Sequence, residues 1–596
     1  MCGIYGYTRG TPEVLDRMGQ AMFHRGPDGS GSFHSGGICM GMRRLSILDL
    51  EHGGQPFTTD SGRTTAFCNG EIYNYPSLHE ELARDGIAFR SHSDVEVIPH
   101  LFERHGPEFV SRLNGMFAIA IHDAATNEIH LYRDPLGIKP IYWTLKDGQL
   151  VWASEARSLL SHPDVEAEPD MDALSIYLEL GYIPAPLSPF KGIHKLASGT
   201  RLTWKGGEVS LHPYWDVASA TDGPEPDFAN LEDQVDTLVQ DAVRLQLASD
   251  VPLGSFLSGG VDSSLVSAAA AQATPEDPLT VFHLDWGDTP GKLNEAAWAG
   301  QVADRYGMTK IFEHVDDLPV RELLPHLVFS LEEPFSDAAF IPTYVLSKIS
   351  REHVKVILSG AGGDELFGGY PRHRDRSTLG YLTRRLLGKD IRSSYHDVQK
   401  APYSVLWKAL FPWYRPDAGR HIMDVSPLRP ESDDWPNAQM INDIRRYLQD
   451  DILFLTDKMT MANSQECRVP LLDFRLAAFS TRIPSSIKME GGESKGLLKK
   501  VAARHVQPEV LYRQKEGFGF PIRKFLEQDR PLYYDMLLDG GYLERSGLIR
   551  PALLQLLLTR ANWGNEMSWL YWRVLILELW FRIFIGKESP DEVYDV

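Results

Sequence analysis

The chain has 596 residues, 43% hydrophobic and 24% charged, the balance of a soluble globular protein too long for one core, so two domains are expected. A formal net charge of −21 argues against nucleic acid or an anionic membrane surface as partner, since both reward basic patches, and favours small-molecule chemistry. Four scattered cysteines, Cys2, Cys39, Cys68 and Cys467, form no CxxC pair and no disulfide framework, which fits a reducing cytoplasm. The N-terminus lacks a basic segment followed by an apolar one, so no signal peptide is expected. The stretch Trp569 to Ile585 is interrupted by Arg573, Glu578 and Arg582, which predicts a packed C-terminal helix and not a membrane span.

Cys2 directly follows the initiator methionine. With Met1 removed, one residue carries both a thiol and a free α-amine, whose ordinary pKa of about 7.7–8.0 lets it serve as base for its own side chain. A short helical pattern (Val14, Leu15, Met18, Met22) then leads to His24-Arg25-Gly26-Pro27-Asp28-Gly29. Arg43-Arg44-Leu45-Ser46-Ile47 follows a strand-like stretch, Cys68-Asn69-Gly70-Glu71-Ile72-Tyr73-Asn74 lies at a strand end, and Ser93-Asp94-Val95-Glu96 opens a helix. Singly, these read as turns and caps. In this order, with Arg133-Asp134-Pro135-Leu136-Gly137 and Ala153-Ser154-Glu155, they resemble the class II glutamine amidotransferase domain of the N-terminal-nucleophile hydrolases, an αββα sandwich.

That resemblance implies hydrolysis of the glutamine side-chain amide. Cys2 would attack the amide carbon, while the Asn69 side chain and the Gly70 backbone N–H hold the developing oxyanion. Arg44 would pair with the α-carboxylate of glutamine, for which a guanidinium fork is suited, and Glu71 and Asp94 would hold its α-ammonium. The charges agree in sense: one cation for the carboxylate, two anions for the amine. The other three cysteines read as small buried residues.

Strand-like stretches from Met116 to Leu150 close this pattern, followed by a Pro-rich turn at 183–189 and a hairpin from Gly199 to Leu211. The stretch 218–230, rich in Ser, Thr, Asp, Gly and Pro, marks a linker. The expected organisation is therefore 1–215 as first domain, 216–230 as linker and 231–596 as second domain.

In the second domain four strand-like runs, Gly254–Ser258, Leu279–Trp286, Thr309–Val315 and Val354–Ser359, alternate with helical patterns. One of these carries an apolar stripe at Trp298, Val302 and Tyr306. Such alternation predicts a doubly wound parallel sheet with its ligand at the carboxyl ends of the strands. The first run ends in Ser258-Gly259-Gly260-Val261-Asp262-Ser263-Ser264 before an alanine-rich helix. Glycines admit a phosphate close to the backbone, and the first N–H groups of the helix have no intrahelical partner. Asp262 in such a turn would repel phosphate unless a magnesium ion stood between them, so a magnesium nucleotide is the natural guest. The fourth run ends in Ser359-Gly360-Ala361-Gly362-Gly363-Asp364-Glu365, where a second Asp among close-approach glycines suggests a metal shared by Asp262 and Asp364.

SGGVDSS is similar to the pyrophosphate loop of ATP pyrophosphatases. With Asp457-Lys458-Met459-Thr460-Met461-Ala462, Glu466-Cys467-Arg468-Val469-Pro470-Leu471-Leu472-Asp473 and Arg513-Gln514-Lys515-Glu516-Gly517-Phe518, it completes a resemblance to the asparagine synthetase B family over nearly the whole chain. The resemblance implies activation of a carboxylate as its acyl-adenylate and attack by ammonia carried internally from Cys2. Leu257, Ser258, Gly259, Gly260, Asp262, Ser263, Ser264, Ser359 and Gly360 would contact ATP, Asp262 and Asp364 would hold Mg2+, and Lys515 would stabilise charge on the intermediate. The pattern departs at Ala361, where the best-studied members carry a glutamate suited to take a proton from ammonia, and also at Asn294, Ala339 and Cys467. Either Glu365 substitutes as base or the acceptor differs from aspartate. Glutamine, ATP and aspartate or another carboxylate are thus the expected partners, with a homodimer as an open option.

Overall fold

In a computed structural model the described residues are 2–286, 295–315, 318–374, 403–418, 434–513, 519–528, 530–559 and 565–594. The first two-fifths of the chain forms two stacked antiparallel sheets. One runs in the order β10 (His194–Lys195), β8 (Tyr142–Lys146), β9 (Gln149–Ala153), β1 (Cys2–Tyr7), β3 (Ile38–Arg44) and β2 (Gly29–Ser35). The other runs β12 (Glu208–Pro213), β11 (Thr200–Lys205), β7 (Glu128–Arg133), β6 (Gly115–Asp123), β5 (Thr64–Ile72) and β4 (Phe57–Thr58). The β11/β12 pair is the hairpin expected between Gly199 and Leu211.

Alternation along each strand decides which face is which. Cys2 and Ile4 of β1, Met40 and Met42 of β3, Phe67 of β5 and Ala118 and Ala120 of β6 meet between the sheets. Tyr5, Tyr7 and Cys39 point the other way, into the cluster that holds the helix Pro12–Ala21 through Met18. On the second sheet Ala66, Cys68, Phe117 and Ile119 face the helices Tyr75–Arg84 and Val97–His105. The result is the αββα sandwich. Gly6 is required where β1 crosses under Trp152, since a Cβ there would lie 2.4 Å from the indole.

The rest of the chain is built on a five-stranded parallel sheet ordered β15 (Thr309–Val315), β14 (Thr280–Trp286), β13 (Leu253–Phe256), β16 (Val356–Leu358) and β17 (Glu466–Arg468). Four strands are those expected. β17 is the fifth, and its three residues Glu-Cys-Arg are too few to carry a strand pattern, with the charged side chains buried as fully as the apolar one between them. The order reverses between β13 and β16, so a crevice opens at their carboxyl ends. The helix Asn565–Trp580 packs in the large core and no described helix is long and apolar enough to cross a membrane.

Candidate active site

The N-terminal site is assembled at the start of β1. Cys2 pairs with Arg44 across β1 and β3, and its backbone nitrogen donates to Asn69 Oδ1 at 2.9 Å. Burial pushes the Cys2 thiol above its ordinary value, opposed by the nearby Arg44 guanidinium. A buried neutral thiol needs a local base to become nucleophilic. Asn69 Nδ2 lies 3.4 Å from Ser154 Oγ. Gly70 has φ +151°, and a Cβ there would fall 1.9 Å from the Met116 carbonyl oxygen, so this strand end accepts glycine alone. The Arg44 guanidinium is steadied by the carbonyls of Leu48 and Asp49 at 3.0 and 2.8 Å, and Gly53 leaves the room it occupies.

Glu71 and Asp94 lie together with Glu466 and Arg468 of β17, which the sequence did not place here. Asp94 Oδ2 accepts from the Ile72 N–H at 2.7 Å, and Arg468 Nη2 stands 3.5 Å from Glu71 Oε2. Burial, then repulsion by Glu466 and Asp94, holds Glu71 well above the usual carboxylate range. Burial also raises Asp94 to about 6 against the Ile72 bond that lowers it. Carboxylates that resist ionisation in a buried pocket favour an arriving ammonium.

A second site opens at the carboxyl ends of β13 and β16 as a cavity of about 470 Å³. Leu257, Ser258, Gly260, Asp262, Ser263, Ser359, Gly360 and Asp364 line it, and so do Lys495, Lys499 and Arg513. The two glycine turns pack edge to edge: a Cβ on Gly360 would lie 2.5 Å from the Ser263 nitrogen. Ser263 Oγ holds the first turn through Ser258 Oγ at 2.9 Å. Gly259 and Ser264 do not line the cavity. Gly259 takes a positive φ against the helix Glu295–Arg305, with its carbonyl accepting from Arg513 Nε at 3.1 Å, and the Ser264 side chain is wholly buried on the helix it helps to open.

Asp262 and Asp364 converge on one cation, Lys495, which contacts Asp262 and sits 2.8 Å from Asp364. Two carboxylates converging on a single positive charge beside a phosphate turn are the donor set with which magnesium is held together with substrate phosphates, so these residues fit that ion. Glu365 does not line the cavity. One residue further along the short helix Gly363–Phe367 its side chain is turned about 100° from Asp364. It accepts from the Tyr370 hydroxyl at 2.5 Å, and Tyr370 does line the cavity. Burial and then Asp364 raise Glu365 to about 7. Lys515 and Asn294 lie outside the described residues. Lys495 went unread in the sequence. Its signal was Gly-Glu-Ser-Lys-Gly at a helix start, where Lys495 adopts φ +57°.

A buried ionic network runs from Cys2 into the second domain. Arg25, fully buried, donates to the Cys2 carbonyl at 3.1 Å, to Glu155 at 3.0 Å and to Asp457 at 2.8 Å. Lys139 stands 3.6 Å from Asp457, and Lys458 donates to Glu332 at 2.6 Å and lies 3.5 Å from Glu155. Each charge has an opposite partner, without which burial at this depth would be prohibitive.

Residues 1–215 match the family model described as glutamine amidotransferase domain, and residues 234–582 match the one described as asparagine synthase. The chain is 32% identical to asparagine synthetase [glutamine-hydrolyzing] 1 of Bacillus subtilis, over 100% of this chain and 98% of that protein. It is equally 32% identical to a putative asparagine synthetase [glutamine-hydrolyzing] of Mycobacterium bovis, over 100% and 99%. Among solved structures, a glutamine phosphoribosylpyrophosphate amidotransferase from B. subtilis overlaps 46% of this chain and 64% of its own at 18% identity, with a TM-score of 0.28. With both domain matches in sequence order and full-length relatives above 30% identity, the chain belongs to the glutamine-hydrolysing asparagine synthase family.

Proposed function

We propose that the protein is a glutamine-dependent, ATP-consuming ligase that converts a carboxylate to its amide, with aspartate as acceptor and asparagine, glutamate, AMP and pyrophosphate as products. The observation that carries this reading is the cavity where both glycine turns, Asp262, Asp364 and Lys495 meet, in a chain whose Cys2 is buried beside Asn69 and Arg44. The aspartate assignment draws on full-length relatives that carry the name asparagine synthetase.

In the first site, with Met1 removed, the Cys2 α-amine takes the thiol proton and Sγ attacks the glutamine amide carbon. The Gly70 N–H and Asn69 Nδ2 stabilise the oxyanion, the α-ammonium returns the proton to the amide nitrogen, which leaves as ammonia, and water releases glutamate from the thioester. Arg44 orients the α-carboxylate, and Glu71 with Asp94 the α-ammonium. In the second site an acceptor carboxylate oxygen attacks the α-phosphorus of ATP and pyrophosphate departs. Ammonia, passed through the interior, then attacks the acyl carbon and AMP departs. Magnesium, when bound, supplies neutralisation of phosphate charge, and Asp262 and Asp364 would hold it. The turn at 258–263 and the Ser359-Gly360 backbone orient the phosphates, and Lys495 places positive charge where negative charge develops.

One observation favours a second reading, amidation of a different carboxylate: Ala339 and Ala361 both line the cavity, so two methyl groups stand where a polar contact to acceptor or ammonia could have been made. The deciding experiment supplies glutamine, Mg-ATP and aspartate, then a panel of other carboxylates, and measures pyrophosphate and amide. Stoichiometric pyrophosphate and asparagine establish the synthetase. Glutaminase activity without aspartate-dependent pyrophosphate assigns a different acceptor. Cys2→Ala is expected to abolish glutamine use and spare ammonia use; loss of both in a folded variant would contradict separate sites.

A further inference from the structure

We infer that Arg468 is a positioning residue through which occupancy of the glutamine site is transmitted to the phosphate-binding turn. The inference rests on the glutamine and ATP assignments above. Arg468 sits on the edge strand β17, wholly buried. Its Nε donates to Glu466 at 2.7 Å, and its Nη1 donates to the carbonyls of Gln246 and Ala248, each at 2.7 Å. Its own carbonyl accepts from the Ser359 N–H at 2.8 Å, and Ser359 is the first residue of the second glycine turn and lines the cavity. The side chain therefore faces one site while the main chain holds the other.

Nη2 is different from its neighbours. It makes no hydrogen bond, although buried, and stands 3.5 Å from Glu71 Oε2. A guanidinium–carboxylate bond settles at about 2.7–2.9 Å, so this contact has roughly 0.6–0.8 Å left to close. Burial, then repulsion by Glu466 and Asp94, disfavours charge on Glu71, and Arg468 opposes them. The α-ammonium of glutamine adds a second cation beside that carboxylate. Its arrival favours the charged form, draws in Nη2 and supplies the missing acceptor. The guanidinium is tied within β17 by Nε to Glu466 and outside it by Nη1 to the carbonyls of Gln246 and Ala248, so a shift of the side chain is passed to the strand, to which Ser359 is bonded. At the other end Glu71 directly follows Asn69-Gly70, so the same closure bears on the oxyanion donors. Coupling of this kind is reciprocal: ATP must favour glutamine by the factor with which glutamine favours ATP.

The test uses the full-length Cys2→Ala protein, which can bind glutamine without consuming it, and measures the Kd of Mg-ATP with and without saturating glutamine. A shift of about fivefold or more is expected, within the usual range of such couplings. Arg468→Lys added to Cys2→Ala keeps a cation beside Glu466 and removes the Nη2 contact; it is expected to bind each ligand and to show no shift. Persistence of the shift in that variant, or no shift in Cys2→Ala alone, overturns the inference. Should Arg468→Lys not fold, hydrogen exchange at the Ser359 amide in Cys2→Ala decides. Glutamine alone is expected to slow it, and unchanged exchange overturns the inference. Failure of either ligand to bind Cys2→Ala would instead refute the functional assignment.

Discussion

Replacing Lys495 by Met removes the charge that Asp262 and Asp364 share while keeping most of the side-chain volume. Stripping one partner from a buried ion cluster costs about 3–5 kcal/mol. The two carboxylates are 16% and 17% exposed, so water and protonation relieve part of this and the lower end, about 3 kcal/mol, applies. The synthetase region matched by the family model is about 350 residues, for which the entropy of unfolding is about 0.7 kcal/mol per kelvin. The thermal midpoint should therefore fall by about 4 °C. Mg-ATP is expected to restore part of it, since magnesium can answer the same two carboxylates. The chemical consequence is larger. A preorganised charge in a closed cavity is worth about 10²–10³ in rate. Synthesis with either glutamine or ammonia should drop by that factor, with glutamate release unchanged within about twofold. Pyrophosphate release, glutamate release and a thermal scan with and without Mg-ATP read all three. Synthesis retained within tenfold, or glutaminase lost in parallel, would refute the role given to Lys495.

Gly70→Ala should cut glutaminase activity by about 10²–10³, the cost of displacing one oxyanion donor, because the added Cβ would lie 1.9 Å from the Met116 carbonyl; ammonia-dependent synthesis should survive, and an unimpaired glutaminase would count against Gly70. Asp94 is held at about 6 against the ordinary 3.8 by burial, so it contributes stability below pH 4 that is lost as pH rises through 6. Asp94→Asn should consequently be more stable than the parent above pH 7, by on the order of 2–3 kcal/mol, with the gap narrowing at pH 5. Urea midpoints at the two pH values test this, and a variant less stable at pH 8 would show the sign to be wrong. Arg25→Met leaves Asp457 without its principal cation and takes one from Glu155, which keeps Arg157 at 2.8 Å. Lys139 and Lys458 remain within 3.6 Å of them, so a loss near 3 kcal/mol is expected in denaturant titrations, and a loss under 1 would mean that those lysines suffice.

Much of this protein is written in local sequence, because local physics fixes it. The glycine turn before the helix Val261–Ala273 and the apolar stripe that Trp298 and Val302 give to Glu295–Arg305 each specify an element through neighbouring residues. The chemistry expected at Cys2, Arg44 and Asn69 is implied by the resemblance of their motifs, taken in order, to a known domain, and that at Asp262 by a carboxylate in a glycine turn. What tertiary structure alone decided are the places where distant segments meet in a low-dielectric interior. Glu466 and Arg468 belong to a strand too short and too polar to carry any period, and β16 beside it, the Glu466 carboxylate and the carbonyls of Gln246 and Ala248 make burial of that arginine tolerable. Lys495 becomes a site residue because its backbone is left-handed and two carboxylates from other turns reach it. Glu365 is turned from the cavity by one residue of helix, and Arg25 faces Asp457 across 432 positions of chain. Sequence spacing holds no information about such encounters, because an ion pair is fixed by where the chain returns and not by what precedes it.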